Sequence, residues 1–198
     1  MTTTTTPRAI TRRELAAKAT VTADELAELD IAVHEAAHSV IGTVLGGEVR
    51  SAMLTRAGGA LGLHGLTRFR DLAEPSRPDT AYAGPWAQAS WRAGAWPTQH
   101  QVQAVLAGGG CHDDALITAA GGRNLTVSPE TPRLIERCWS SVLTLAGQLF
   151  KNGEASHADV LAALGLAGLN EHAAAFGLAS IRSGSSPNSI RIDGPIRF

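Results

Sequence analysis

The stretch TADELAELDIAVHEAAHSVIGTVLGG, residues 22–47, decides the fold because it predicts one long helix with two apolar faces. Thr22 followed by Glu25 forms a capping box at its start, and Gly46 and Gly47 end it. A helix that is apolar on two stripes is expected to be buried in the middle of its domain. The first stripe comprises Leu26, Leu29, Val33, Ala37, Val40 and Val44, and the second Ile31, His34, His38, Ile41 and Leu45.

Residues 34–38 of this helix form the pattern HExxH. His34 and His38 are four residues apart, so they share one helical face with Cβ atoms about 5–6 Å apart and can bind one cation together. Zinc accepts this geometry, and catalytic zinc sites commonly have three protein ligands and a water. Glu35 is then placed to take a proton from that water. The plain alternative is a pair of buried histidines that only form hydrogen bonds.

A third ligand must come from elsewhere in the chain. Ile41 and Val44 stand where the metzincin pattern requires glycine and histidine, so that class is excluded. Asp113 and Asp114 follow a glycine run at the start of a predicted helix, where an anionic side chain is favourable. Either aspartate is a candidate ligand, and capping of the helix is the alternative role for each.

The composition predicts a cytoplasmic protein without a nucleic-acid or membrane partner. A chain of 198 residues suits one domain, and its net charge of −1 gives no electrostatic case for binding nucleic acid or anionic lipid. Cys111 and Cys138 form neither a CxxC motif nor a disulfide framework, which favours a reducing compartment. The most apolar stretch, residues 31–47, contains both histidines of the motif and is therefore a poor membrane span.

The remaining sequence predicts a predominantly helical α+β domain, a helical bundle around the HExxH helix with one small sheet. Residues 1–21 are expected to be disordered, residues 22–180 to form the domain, and residues 181–198 to form a tail. Extended segments are predicted at 49–55 and 61–69 around a turn at 56–60, a loop at 71–79, and further helices at about 80–92, 98–107, 113–120, 133–150 and 156–164, the last being the final helix.

Two features of the region 80–96 require interpretation. Gly84 and Pro85 are expected to start or kink the helix that contains them. Trp86, Trp91 and Trp96 cluster here. We interpret them as residues that pack in the core or between helices, in preference to a platform on which a ligand stacks.

Residues 29–40, LDIAVHEAAHSV, resemble the catalytic helix of the FtsH-type ATP-dependent zinc proteases, whose pattern is close to HEAGHA. Further stretches resemble that family in the same order along the chain, over about residues 24–166. Only HExxH is specific by itself, and the ordered series strengthens the resemblance. These stretches are Ala60-Leu61-Gly62 with Thr67, AGPWAQA at 83–89, and GCHDD at 110–114, which is similar to the segment carrying the family's aspartate ligand.

The resemblance implies a Zn²⁺ ion held by His34, His38 and an aspartate. Asp114 is the preferred third ligand because the small residues after it then match the family's packing face, and Asp113 is the substitute. Glu35 would be the general base. Gln88 and Ala89 stand where the family has two glutamates, so a supporting charge near the metal is expected to be missing.

The implied activity is that of a zinc metalloendopeptidase acting on peptides or unfolded protein segments. A strand at about residues 61–66 would bind the substrate by edge pairing. The sequence contains no ATPase module and no membrane anchor, so a partner protein would have to supply any unfolding force, and the oligomeric state stays open. The alternative function is a catalytically silent zinc-binding module that acts through protein interaction in regulation.

Overall fold

A long central helix organises this computed structural model, which describes residues 11–17, 21–55 and 64–188. A short helix α1 (Arg12–Ala16) precedes the central helix α2 (Ala23–Val44). The predicted capping box is present, since Thr22 Oγ1 accepts from the Glu25 N–H at 3.2 Å and the Glu25 carboxylate accepts from the Thr22 N–H at 2.8 Å. After α2, the Gly47 N–H donates to the Gly42 carbonyl at 2.8 Å, which closes a Schellman motif.

The two predicted stripes of α2 are buried between residues 32 and 44, and the stripe residues outside this range are half-buried. Every residue from 32 to 44 is buried, including the two histidines and Glu35. α3 (Arg77–Ala93) and α8 (Trp139–Asn152) pack against α2, and a small sheet covers a further part of it. The polar groups of the HExxH motif are therefore held inside the hydrophobic core, where an unpaired polar atom is costly.

The sheet has the strand order β2-β1-β3 and is antiparallel throughout. Its strands are β1 (Val49–Thr55), β2 (His64–Phe69) and the two-residue β3 (Glu154–Ala155). Gly65, Thr67 and Phe69 face α2, because they lie against Glu35 and Gly42 of that helix. The predicted pairing of the two extended segments is confirmed, whereas the predicted turn and residues 61–63 lie outside the described residues.

The fold class is the predicted one, mainly helical with one small sheet. In the described part of the chain, no helix is both long and apolar enough to cross a lipid bilayer. Besides a 3₁₀ turn at Glu74–Ser76, the remaining helices are α4 (Gln99–Ala107), α5 (Cys111–Ala119), α6 (Arg123–Thr126), α7 (Thr131–Arg137), α9 (His157–Ala163) and α10 (Glu171–Arg182).

Several predicted boundaries differ from the observed ones. The predicted loop at 71–79 contains the 3₁₀ turn and the start of α3, where Pro78 occupies one of the first helical positions that tolerate proline. Pro85 lies inside α3 instead of starting it. The long helix predicted at 133–150 is divided into α7 and α8 at Cys138, whose backbone leaves the helical region.

Two terminal segments contain helices that the sequence did not predict. Within the N-terminal segment expected to be disordered, Thr11 and Glu14 form a capping box that starts α1. The chain also has a helix after 156–164, since Asn170 caps α10 by accepting from the Ala173 N–H at 2.9 Å. Ile181, placed in the predicted tail, is fully buried in the core, so the folded part extends beyond residue 180.

A buried carboxylate joins three helices close to the motif. Asp30 is one turn before His34 on α2 and is only 4% exposed. Its two oxygens accept from Arg12 Nε of α1 and Arg92 Nε of α3, each at 2.8 Å. A buried charge is tolerated when it is paired and hydrogen-bonded in this way. Asp30 therefore fixes α1 and α3 against the helix that carries the motif.

Candidate metal centre

Three side chains from two helices meet at the buried face of α2. His34 Nε2 lies 3.0 Å from Asp113 Oδ2, and His38 Nε2 lies 3.3 Å from Asp113 Oδ1. The two imidazole rings are nearly perpendicular, with centroids 4.6 Å apart. One potential ligand atom from each residue lies within 4.8 Å of the other two, and the side chains are at most 13% exposed. This group could hold a metal ion.

The other ring nitrogens are held by oxygen acceptors on α3. His38 Nδ1 lies 2.7 Å from the Thr80 carbonyl oxygen, and His34 Nδ1 lies 3.0 Å from Gln88 Oε1. Because a carbonyl oxygen only accepts, each Nδ1 carries the proton in these bonds. The Nε2 atom of each neutral imidazole then presents a lone pair toward Asp113, which is the tautomer that metal ligation requires.

The charges around this group favour a bound cation. Burial lowers the pKa of His38, but the Asp113 carboxylate, Glu35 and the Thr80 carbonyl outweigh it and raise that pKa to about 9. Burial also raises the pKa of Asp113, yet the two histidines beside it bring that pKa well below its usual range. Two lone pairs and a carboxylate facing one another need a proton or a metal ion between them, so the residues fit a metal centre.

The preferred assignment of Asp114 as the third ligand is wrong, because the structure brings Asp113 to the histidines. Asp114 lies instead at a surface cleft beside Gln99 and Gln103 of α4. Successive residues of a helix point about 100° apart, so only one of the two aspartates can face α2. α5 begins at Cys111, two residues earlier than predicted, and this register turns Asp113 inward.

Glu35 lies beside the group without belonging to it. Glu35 is 6% exposed, and Thr67 Oγ1 on β2 donates to its Oε2 at 2.7 Å. Ser39 Oγ donates to the Glu35 main-chain carbonyl at 2.9 Å. Thr67 thus fixes the Glu35 side chain through a contact between α2 and β2 that the sequence did not predict.

Two glycines allow neighbouring elements to approach the site. A Cβ at Gly84 of α3 would overlap both imidazole rings, and a Cβ at Gly65 of β2 would overlap the Glu35 carboxylate. Gly84 was interpreted only as a helix start or kink, although a glycine inside a helical pattern also indicates close packing. The site therefore requires the absence of a side chain at both positions.

Gln88 lies beside His34 at one of the two positions where the resembling family has glutamates. The charge of a glutamate is absent, but the Gln88 amide oxygen still accepts from His34 Nδ1 at 3.0 Å and the side chain is buried. The support of His34 is thus retained as a neutral hydrogen bond. Thr80, whose carbonyl supports His38, was not identified from the sequence because a main-chain contact leaves no residue-type signal.

The group opens on one side into a cleft of about 530 Å³. Leu66 of β2 and Leu116 of α5 lie on the wall of this cleft and are 42% and 44% exposed. Within the described residues, β2 pairs with β1 on one side only, so its other edge is open. The cleft also contains Arg68, Phe69, Arg70, Leu72 and Arg77.

A scan against protein-family models finds no match for this chain, and a search of curated proteins finds none either. Function is therefore inferred from the geometry of the site, and the resemblance to FtsH-type peptidases remains a prediction.

Proposed function

We propose that the protein is a zinc-dependent metallopeptidase of the FtsH type that hydrolyses peptides or unfolded protein segments. The observation that carries this proposal is the grouping of two imidazoles and one carboxylate, with a second carboxylate beside them. Two histidines and a carboxylate are a ligand set of catalytic zinc sites, which keep a position open for water or substrate. The same donors also suit iron, but Glu35 next to the group favours hydrolysis, which requires a base.

Each residue has a distinct role in this proposal. His34, His38 and Asp113 would hold Zn²⁺, which when bound supplies a Lewis acid that polarises a carbonyl and acidifies water. Glu35 takes the proton from the attacking water and delivers it to the leaving amine. Thr67, 2.7 Å from Glu35 Oε2, keeps the carboxylate oriented during both transfers. The low exposure of the group strengthens these electrostatic interactions because water is largely excluded.

The cleft suits an extended peptide. The open edge of β2 can pair with a substrate strand through main-chain hydrogen bonds, which give affinity with little sequence preference. Gly65 and Thr67 of that strand lie directly against Glu35, so a peptide on this edge passes close to the base. Leu66 and Leu116 offer apolar contacts to its side chains.

The test combines metal analysis with an assay of casein cleavage. We expect the wild-type protein to contain about one zinc per chain and to lose its cleavage activity after chelation. Glu35→Gln should retain zinc and lose activity, because an amide cannot accept the proton. Glu171→Gln, the same change at an exposed position of α10, is the matched control and should behave as wild type.

Two outcomes would contradict the proposal. Turnover by Glu35→Gln that still depends on zinc would remove Glu35 from the mechanism. Zinc binding without turnover over a broad panel of peptides and unfolded proteins would favour the silent regulatory module instead.

A further inference from the structure

All four tryptophans of the chain meet at one pocket outside the metal centre. Trp86 and Trp91 of α3, Trp96 after that helix, and Trp139 at the start of α8 line a cavity of about 250 Å³. This volume corresponds to roughly eight water molecules, enough for a small ligand. The pocket shares no lining residue with the cleft at the metal group.

Two of the rings at the pocket are in direct contact. Trp86 and Trp96 have centroids 5.1 Å apart and planes at 82°, so they form an edge-to-face pair. Trp86 and Trp91 are almost fully buried, whereas Trp96 is 52% exposed at the same pocket. Burial in the core accounts for the first two but not for a large aromatic ring held at the surface.

The described residues place one charge at the pocket. Among them, Glu136 of α7 is the one charged residue lining it, and the others are aromatic, small or hydroxylated. None of the ion pairs formed by the described residues involves Glu136. The neighbouring arginines are engaged elsewhere, since Arg133 pairs with Glu130 at 2.9 Å and Arg137 donates to the Ile181 carbonyl at 2.8 Å.

We propose that this pocket binds a small organic cation that carries a quaternary ammonium group. The faces of tryptophan rings attract cations, and a cage of aromatic rings is the arrangement that recognises quaternary ammonium ligands. Glu136 supplies a negative charge to pair with the cation, which the aromatic and small residues of the pocket cannot provide. A neutral apolar ligand would use the rings but would leave this carboxylate without a partner at the pocket. The inference is independent of the proposed peptidase function.

The experiment compares choline with 3,3-dimethyl-1-butanol, the neutral molecule of the same shape. Binding is followed by intrinsic fluorescence, because every tryptophan of the chain lines the pocket, and by calorimetry. We expect choline to bind about tenfold more tightly than the neutral isostere. Glu136→Gln and Trp96→Ala should each weaken choline binding several-fold. Glu136→Gln should affect binding of the neutral isostere less than binding of choline.

The controls separate a specific site from a general effect. Glu136 and Trp96 are exposed, so both variants should keep the wild-type circular dichroism spectrum. Glu171→Gln should bind choline as wild type does. Chelation of the metal should leave choline binding unchanged, since the two clefts are separate. Equal binding of choline and its isostere, absence of any binding, or choline binding that Glu136→Gln and Trp96→Ala leave unchanged would each overturn the proposal.

Discussion

The substitution Gly84→Ala tests how closely α3 lies against His34 and His38. A Cβ at this position would lie 2.6 Å from His38 Cε1 and 2.7 Å from His34 Cδ2. Carbon atoms meet at roughly 3.5 Å or more, so the rings or the helix must move by nearly 1 Å. Alanine should gain about 0.5–1 kcal/mol from helix propensity, and overpacking of a core costs about 1–3 kcal/mol. The overpacking term is the larger one.

We therefore expect Gly84→Ala to lower the free energy of unfolding by about 1–2 kcal/mol. Zinc affinity should fall at least about tenfold, because ligands must hold their geometry to within about 0.5 Å. Urea denaturation and competition with a chelator measure the two effects. Gly147→Ala on α8 is the matched control, since no atom lies within 4 Å of a Cβ there and the change should be stabilising. Wild-type zinc affinity in Gly84→Ala would refute the close approach of α3 to the two rings.

Three further predictions concern the same group. Asp113→Ala should lose the metal in elemental analysis, whereas Asp114→Ala should keep it; the reverse result would restore the register predicted from the sequence. Gln88→Leu should weaken zinc binding about 10- to 100-fold because His34 Nδ1 loses its acceptor, and Gln88→Glu should preserve it, as chelator competition can measure. In the metal-free protein, the pKa of His38 is raised from 6.5 to about 9, so its pairing with Asp113 stabilises the fold fully below about pH 6.5. That contribution is lost as the pH rises through about 9, and urea denaturation across this window should show the decline.

The parts of the site that arise from neighbouring residues were predictable. The capping box at Thr22 and the glycines at 46 and 47 define the ends of α2 through local hydrogen bonds, and the i, i+4 spacing places His34 and His38 on one face. The burial of this helix also followed from its two apolar stripes. These features depend on a few consecutive residues, so they can be predicted from the local sequence.

The remaining parts depend on how distant segments pack. The choice between Asp113 and Asp114 is set by the start of α5, and a shift of one residue turns the side chain by about 100°. The contact of Thr67 with Glu35 exists only because β2 lies across α2. α10 is different, because Asn170 is a local N-cap signal that could have revealed the helix before its alanine-rich sequence.

The pairing of Asp30 has a practical consequence for preparing this protein. A truncation at residue 21, which the sequence alone suggests, would remove Arg12 and leave Asp30 with Arg92 as its remaining partner. Removing one partner of a buried carboxylate is strongly destabilising, and this carboxylate lies one turn from His34. The shortened chain would also lose Thr11 from the wall of the tryptophan pocket. A sample trimmed for crystallisation would thus be destabilised one turn from His34, and its tryptophan pocket would lose part of one wall.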